Sequence, residues 1–160
     1  MNAFIKPVPM QKKTAFTLFH LLLYIFSLLP LSCQSEEEEL EELPIHYELP
    51  VLYDGVSLNG QEFTVIRTEP ELKAVFSDAL ISKHSALQNL DFAKHSILVG
   101  KATYSSGIGS LEHQYFKQGN KWIYRLKVII SPLSVISTFH CGIVVDKIPV
   151  EGEVEFKKST

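Results

Sequence analysis

Eight side chains of this 160-residue sequence belong to the types that most often act as nucleophiles or metal ligands: six histidines and two cysteines. The histidines stand at positions 20, 46, 84, 95, 113 and 140. They form no His-x-x-x-His pair, and the sequence contains no Cys-x-x-Cys, the two spacings by which residues close in the chain commonly share a metal ion. The spacing therefore predicts neither a metal site nor a cofactor.

His140 and Cys141 are adjacent, and a histidine beside a cysteine could activate the thiol as a nucleophile. However, they lie in the apolar pattern of a buried strand, where neighbouring side chains point to opposite faces. We therefore interpret Cys141 as a small buried hydrophobic residue and predict a non-catalytic protein. The alternative is a small enzyme with an unrecognised active site, whose first candidate residues are His113, His140 and Cys141.

Two further arrangements could carry function. Gly107-x-Gly109 is too short for a phosphate-binding loop, and no helical pattern follows it. An aromatic strip for sugar or peptide binding could be formed by Tyr104, Tyr115, Trp122 and Tyr124. At strand spacing such residues more often pack across neighbouring strands, so we favour a packing role for them.

The other cysteine, Cys33, ends a segment with the composition of a secretory signal peptide. A basic pair at 12–13 precedes an apolar run over residues 15–31, and Ser32 is the small residue that a cleavage site requires. The alternative is an uncut membrane anchor, but a span needs about 20 apolar residues and this run is a little short. We predict that residues 1–32 are a cleaved signal peptide.

Leu29-Pro30-Leu31-Ser32-Cys33 resembles the lipobox of bacterial lipoproteins, with Pro30 where that family prefers leucine. The resemblance implies that Cys33 becomes the mature N-terminus and is lipidated on its sulfur and its amine. Several acyl chains together hold a protein stably on a membrane, whereas a single chain binds only marginally. Membrane lipid, reached through acylated Cys33, is thus the first partner that we expect.

The acidic block from Gln34 to Glu39 resembles the tag that follows the lipidated cysteine in surface-displayed lipoproteins of some Gram-negative bacteria. The same block is also typical of a solvated, extended tether, because like charges repel one another. The sequence therefore predicts an outer-membrane lipoprotein of the cell envelope, exposed either to the periplasm or at the cell surface. Its acidic tether is expected over residues 33–48.

Charge is concentrated in that tether. The chain has 15 basic and 18 acidic residues, a formal net charge of −3, but the part from Leu43 onward has 12 of each. A balanced domain lacks the basic patch that nucleic-acid binding requires. We therefore expect no nucleic-acid partner.

Residues 49–160 have the patterning of a single α+β domain. Thr68 and Glu71 form a capping box, and apolar residues at helical spacing predict one helix from about Glu69 to Leu80. Apolar runs predict a mostly antiparallel, curved sheet of six to eight strands, on which the helix packs. They include a central strand from His95 to Tyr104 and a hairpin around the turn at 118–120.

The order of these elements resembles the C-terminal domain of PrcB-type proteins, a family of protease-complex components, over about Ile66 to Pro149. The resemblance rests on the helix start Pro70-Glu71-Leu72, the strand that Asp91-Phe92-Ala93-Lys94-His95 introduces, and the closing Val144-Val145-Asp146-Lys147-Ile148-Pro149. It implies a binding or protease-complex accessory module with a protein or peptide partner. A structural component of the envelope is the alternative that the sequence leaves open.

The turn after the strand that contains Gly100 is the candidate binding loop, because binding residues concentrate on loops that a rigid sheet positions. Its residues are Ser105, Ser106, Gly107, Ile108, Gly109 and Ser110. PrcB-type proteins usually carry a Thr-Gly-Gly-Tyr-like turn at this place. The order of residues here is different, so the resemblance does not imply a shared ligand at this turn.

Overall fold

The computed structural model describes residues 39–160, which belong to one compact unit. The predicted signal peptide and the lipidation site Cys33 lie outside the described residues. The strands are β1 (Glu41–Glu42), β2 (Tyr47–Leu52), β3 (Phe63–Ile66), β4 (His95–Tyr104), β5 (Ile108–Gln118), β6 (Lys121–Ile130), β7 (Ser137–Asp146) and β8 (Glu153–Ser159). The helices are α1 (Glu69–Val75), α2 (Asp78–Lys83) and α3 (Ser85–Gln88).

The strands form two four-stranded sheets, where the sequence predicted one curved sheet. The first sheet has the order β1-β5-β6-β8 and the second has the order β2-β7-β4-β3. All pairings between these strands are antiparallel except that of β6 with β8, which is parallel. The predicted α+β class is confirmed, and β4 has the predicted bounds and lies between two neighbours of its sheet.

The two sheets pack face to face, and the helices cover the outer face of the second sheet. Leu98 and Ile143 of the second sheet meet Tyr115 and Tyr124 of the first in one core cluster. On its other face, the second sheet contributes Ile97, Val99 and Val144 to a cluster with Leu72 and Phe76 of the helical segment. Each long strand of the second sheet is therefore buried on both faces, which explains its nearly continuous apolar sequence.

The predicted single helix is three short ones. The Thr68–Glu71 capping box is present, but α1 ends because Phe76 adopts an extended backbone (φ −109°, ψ 138°). Ser77 then caps α2 by accepting a hydrogen bond from the backbone N–H of Leu80. Phe76 also pairs with Val56 as an isolated β-bridge, so a tertiary contact interrupts the helical pattern.

The folded domain begins earlier than the predicted boundary at residue 49. Glu41 and Glu42 pair with Lys117 and Phe116 of β5, and the backbone N–H of Leu43 donates to the Tyr115 carbonyl oxygen at 2.8 Å. Within the predicted tether of 33–48, residues from 41 onward thus belong to the fold. Among residues 39–160, no helix is long and apolar enough to cross a membrane.

Candidate functional site

The predicted binding loop is half turn and half strand. Residues 105–107 connect β4 to β5, whereas Ile108, Gly109 and Ser110 already belong to β5. The turn is fixed by two backbone hydrogen bonds of 2.7 Å, from Gly107 N–H to the Leu133 carbonyl and from Ser131 N–H to the Gly107 carbonyl. A β-carbon on Gly107 would overlap the Ser131 hydroxyl, so the close approach of the two loops requires glycine here.

The loop against which this turn packs exposes large apolar side chains. Leu133 and Ile136 are 68% and 78% exposed, and three neighbours in sequence are exposed as well. We call the whole group the apolar rim: Ile129, Ile130, Leu133, Val135 and Ile136. No Lys, Arg, Asp or Glu occurs from residue 128 to 145 or from 105 to 110. The segments of the turn and the rim therefore carry no charged side chain of their own, and the rim exposes apolar ones.

The candidate enzyme residues lie elsewhere, in and beside the core between the sheets. His113 Nδ1 lies 2.7 Å from the Tyr124 hydroxyl, and that hydroxyl donates toward the sulfur of Cys141 at 3.8 Å. Burial lowers the pKa of His113 and raises the pKa of the Cys141 thiol to about 11. Since Cys141 is fully buried and its thiol stays protonated at neutral pH, it is a poor nucleophile.

The third candidate enzyme residue, His140, does not join this group. His140 follows Phe139 in β7, is half-buried, and lies on the strand face opposite Cys141. The interpretation of Cys141 as a buried hydrophobic residue agrees with its place in a cluster with Leu126 and Phe139.

The aromatic residues of the possible binding strip are largely core residues. Tyr115 and Tyr124 are at most 2% exposed. The Tyr124 ring also contacts the ring of Phe156 at 5.1 Å between centroids. The packing role that strand spacing favoured is therefore the correct one for these two tyrosines.

One group of possible metal ligands was missed by the sequence analysis. His46, His95 and Asp146 each offer a ligand atom, and these atoms all lie within 4.8 Å of one another. The residues come from three parts of the chain about 50 residues apart, so no local spacing motif could reveal them. The one usable signal was positional: His95 opens β4 and Asp146 closes β7, and these ends meet when the two strands pair antiparallel.

Comparison of the chain with known protein families, curated proteins and solved structures finds no match. The resemblance to PrcB-type domains therefore stays a prediction. The chain's own residues offer two candidate sites: the turn and apolar rim at one end of β6 and β7, and a histidine–aspartate group at the other end of β7.

Proposed function

We propose that this protein is a lipid-anchored, non-catalytic module of the cell envelope, which binds a protein partner through the apolar rim and the turn at 105–107. The observation that carries the proposal is the hydrogen-bonded contact between that turn and a loop exposing Leu133 and Ile136. Large apolar side chains left exposed close together in one part of a fold often mark interaction sites, because exposing them to water costs free energy. An accessory role in a protease complex is the form of this function that the PrcB-type resemblance suggests.

The composition of the surface favours a protein over a lipid bilayer as its occupant. Protein interfaces are depleted of charged residues at their centre, as this surface is. Segments that lie on membranes instead combine their apolar face with Lys and Arg, often with Trp, and these residues are missing from 105–110 and 128–145. The enzyme alternative would need a reactive group, whereas the thiol of Cys141 is buried and neutral.

A photo-crosslinking experiment in the source cells tests the partner. A photoreactive amino acid replaces Ile136 in one variant and Val150 in the matched control, since Val150 is also an exposed apolar residue (83%) but follows the opposite end of β7. We expect a discrete protein adduct at 136 that is absent at 150. Adding Leu133→Asp to the position-136 variant should remove the adduct without lowering the amount of folded protein.

Other outcomes would contradict the proposal. Equal adducts at both positions would mean nonspecific contact, and adducts with lipid alone would mean that the rim touches the bilayer. A mass of twice the chain would identify a second copy of the protein as the occupant. An adduct that survives Leu133→Asp would place the contact outside the rim.

The lipid anchor has its own test, since the proposal needs Cys33 to be acylated. The intact mass of the membrane-extracted protein should correspond to a chain that starts at Cys33 and carries acyl groups. Cys33→Ala should abolish the acyl mass and release the domain from the membrane. A mass that retains residues 1–32 would instead indicate an uncut anchor, and a cut chain without acyl mass would indicate a freely secreted domain.

A further inference from the structure

The geometry points to a binding site for a divalent transition-metal ion of the zinc class, formed by His46, His95 and Asp146. His46 Nε2 lies 2.7 Å from Asp146 Oδ1, and the rings of His46 and His95 are 5.1 Å apart between centroids. All three candidate ligand atoms lie within 4.8 Å of one another. Two imidazoles with one carboxylate form a donor set that Zn²⁺ commonly uses.

The backbone of all three residues is fixed by the second sheet. His95 and Asp146 are directly opposite each other in the β4–β7 ladder. The backbone N–H of His46 donates to the carbonyl oxygen of Val144 at 2.9 Å, which ties the start of β2 to the same end of β7. Two of the three ligands thus project from paired strands and the third is tied to them by a backbone hydrogen bond, which makes the site more rigid than one built on loops alone.

One ligand is already oriented by a neighbouring group. His95 Nδ1 lies 3.3 Å from the carbonyl oxygen of Asp91, an acceptor that the protonated Nδ1 can use. A proton on Nδ1 would make that hydrogen bond and would leave Nε2 with a lone pair for a metal. Histidine ligands in metalloproteins are typically held in this way by a backbone carbonyl or carboxylate.

Metal binding would require the ligand atoms to rearrange: atoms now up to 4.8 Å apart must approach, while the 2.7 Å pair of His46 and Asp146 must separate. Two ligands of tetrahedral Zn²⁺, each about 2.1 Å from the ion, lie roughly 3.4 Å apart. The shared hydrogen of the His46–Asp146 contact would be displaced by the metal, and these two side chains would separate slightly. Both are well exposed, with side-chain exposures of 40% and 69%, so their rotamers are free to move.

Neighbouring lysines do not compete for the carboxylate. The ammonium group of Lys147 donates to the carbonyl oxygens of Arg67 and Phe92, at 2.6 and 2.8 Å. Lys94 lies 3.6 Å from a carboxylate oxygen of Asp91. Three protein ligands leave one tetrahedral position for water or for a group of another molecule, as in open zinc sites.

Calorimetric titration with Zn²⁺ tests the inference, using the detergent-extracted lipoprotein without a polyhistidine tag. We expect one ion per chain, and at least tenfold weaker binding in His95→Ala and in Asp146→Asn. His84→Ala is the matched control and should bind as the wild type does, because His84 lies outside the group. Co²⁺ should give visible absorption bands of a nitrogen–oxygen site in the wild type and lose them in His95→Ala.

Unchanged binding in both His95→Ala and Asp146→Asn would assign the metal to another place, such as the acidic block at 36–39, and would overturn the inference. Absence of Zn²⁺ binding to the wild type at millimolar metal would overturn it as well. Circular dichroism of each variant confirms that the ligand changes leave the fold intact. Equal competition by Mg²⁺ would show a carboxylate-only site and would also contradict the proposal.

Discussion

At the scale of single residues, the central feature is the row formed by partly buried His113 with buried Tyr124 and Cys141. A histidine, a hydroxyl and a thiol in contact resemble catalytic groups in composition, but burial decides their behaviour here. Desolvation disfavours each charged form, so it lowers the pKa of His113 and raises the pKa values of Tyr124 and Cys141. All three groups are neutral at pH 7, and the row acts as a polar part of the core.

Because Tyr124 and Cys141 are buried in their neutral forms, the domain should become less stable at alkaline pH. The folded thiol of Cys141 keeps its proton up to about pH 11, whereas the unfolded thiol ionises from about pH 9, so ionisation stabilises the unfolded state between these values. We expect the free energy of unfolding of the 39–160 domain, measured in urea, to decrease from pH 9 to 11. Cys141→Ala should flatten the first part of that decrease. The part above about pH 10 comes from the tyrosines and should remain in this variant. An unchanged profile in Cys141→Ala would mean that the thiol ionises in the folded state.

On the acid side of neutrality, stability changes with pH in the opposite direction: it falls as the pH decreases. His113 has a lowered pKa in the folded state, so below pH 6.5 the unfolded chain binds the proton more readily and stability falls as pH decreases. His113→Gln should reduce this loss between pH 6.5 and 5 in urea unfolding. His140→Gln serves as the comparison: burial lowers the pKa of His140 as well, so this change should remove its own part of the loss and leave the His113 contribution in place. A wild-type profile that is flat over this range would show that His113 is charged in the fold.

At the scale of elements, Phe76 shows how a tertiary contact overrides a helical pattern. The spacing of apolar residues from Leu72 to Leu80 is helical, yet Phe76 leaves the helix to pair with Val56 and is 1% exposed. Its side chain belongs to the cluster between the helices and the second sheet. The spacing correctly predicts that Leu72 and Phe76 face the core, but Ala79 of the same spacing is exposed. The break between α1 and α2 depends on Val56, a residue 20 positions earlier in the chain.

Phe76→Ala should cost about 3–5 kcal/mol of unfolding free energy, because it leaves a cavity in that cluster. The measurement is urea denaturation of the 39–160 domain, with Lys83→Ala as the exposed control on α2, expected within about 0.5 kcal/mol of wild type. A loss below about 1 kcal/mol for Phe76→Ala would mean that the side chain is not packed as described.

Gly142 illustrates a requirement of strand packing. A β-carbon at this position would lie 2.5 Å from the carbonyl oxygen of Leu98, on the neighbouring strand β4. Because that atom is backbone and cannot move alone, we expect Gly142→Ala to destabilise the domain by about 1–3 kcal/mol in urea denaturation. Lys101→Ala, an exposed change on β4, is the control and should have little effect. Equal stability of the two variants would show that the sheet can widen at no cost.

Strand patterns made much of the sheet predictable, but the arrangement of the strands was less so. β4 and the β5–β6 hairpin follow from apolar periodicity and from the turn at Gly119, whose φ of +55° suits glycine. The parallel pairing of β6 with β8 joins residues distant in sequence, and nothing local encodes it. For the same reason, the turn at 105–107 was predictable from local sequence. Its contact with Leu133 joins residues that are distant in the chain and was not predictable. The same is true of the group of His46, His95 and Asp146.

At the scale of the whole molecule, the folded domain includes a stretch that the sequence assigned to the tether. Leu43 and Ile45 are partly buried against the core between the sheets, just after β1. We expect a domain that starts at residue 47 to be about 2–3 kcal/mol less stable than one that starts at 39, because these two side chains lose their burial. Urea denaturation of both chains measures the difference.

The control for this truncation is Glu41→Ala with Glu42→Ala in the longer chain. This double variant keeps the backbone of β1, whose pairing does not depend on the exposed carboxylates, so its stability should stay close to that of the parent. If the chain that starts at 47 were as stable as the longer one, β1 and its neighbours would be dispensable additions to the fold.

The chain enters the domain through β1, and the segment between Cys33 and β1 is short. Seven residues, 34–40, separate Cys33 from Glu41, and a fully extended chain spans at most about 28 Å over that interval. With the proposed lipid on Cys33, this segment limits the distance between the bilayer and β1. β1 is the edge strand that pairs with Lys117, near the β5–β6 turn. The apolar rim lies at the other end of β6, so the proposed anchor and the proposed binding surface belong to opposite ends of the same β5–β6 hairpin.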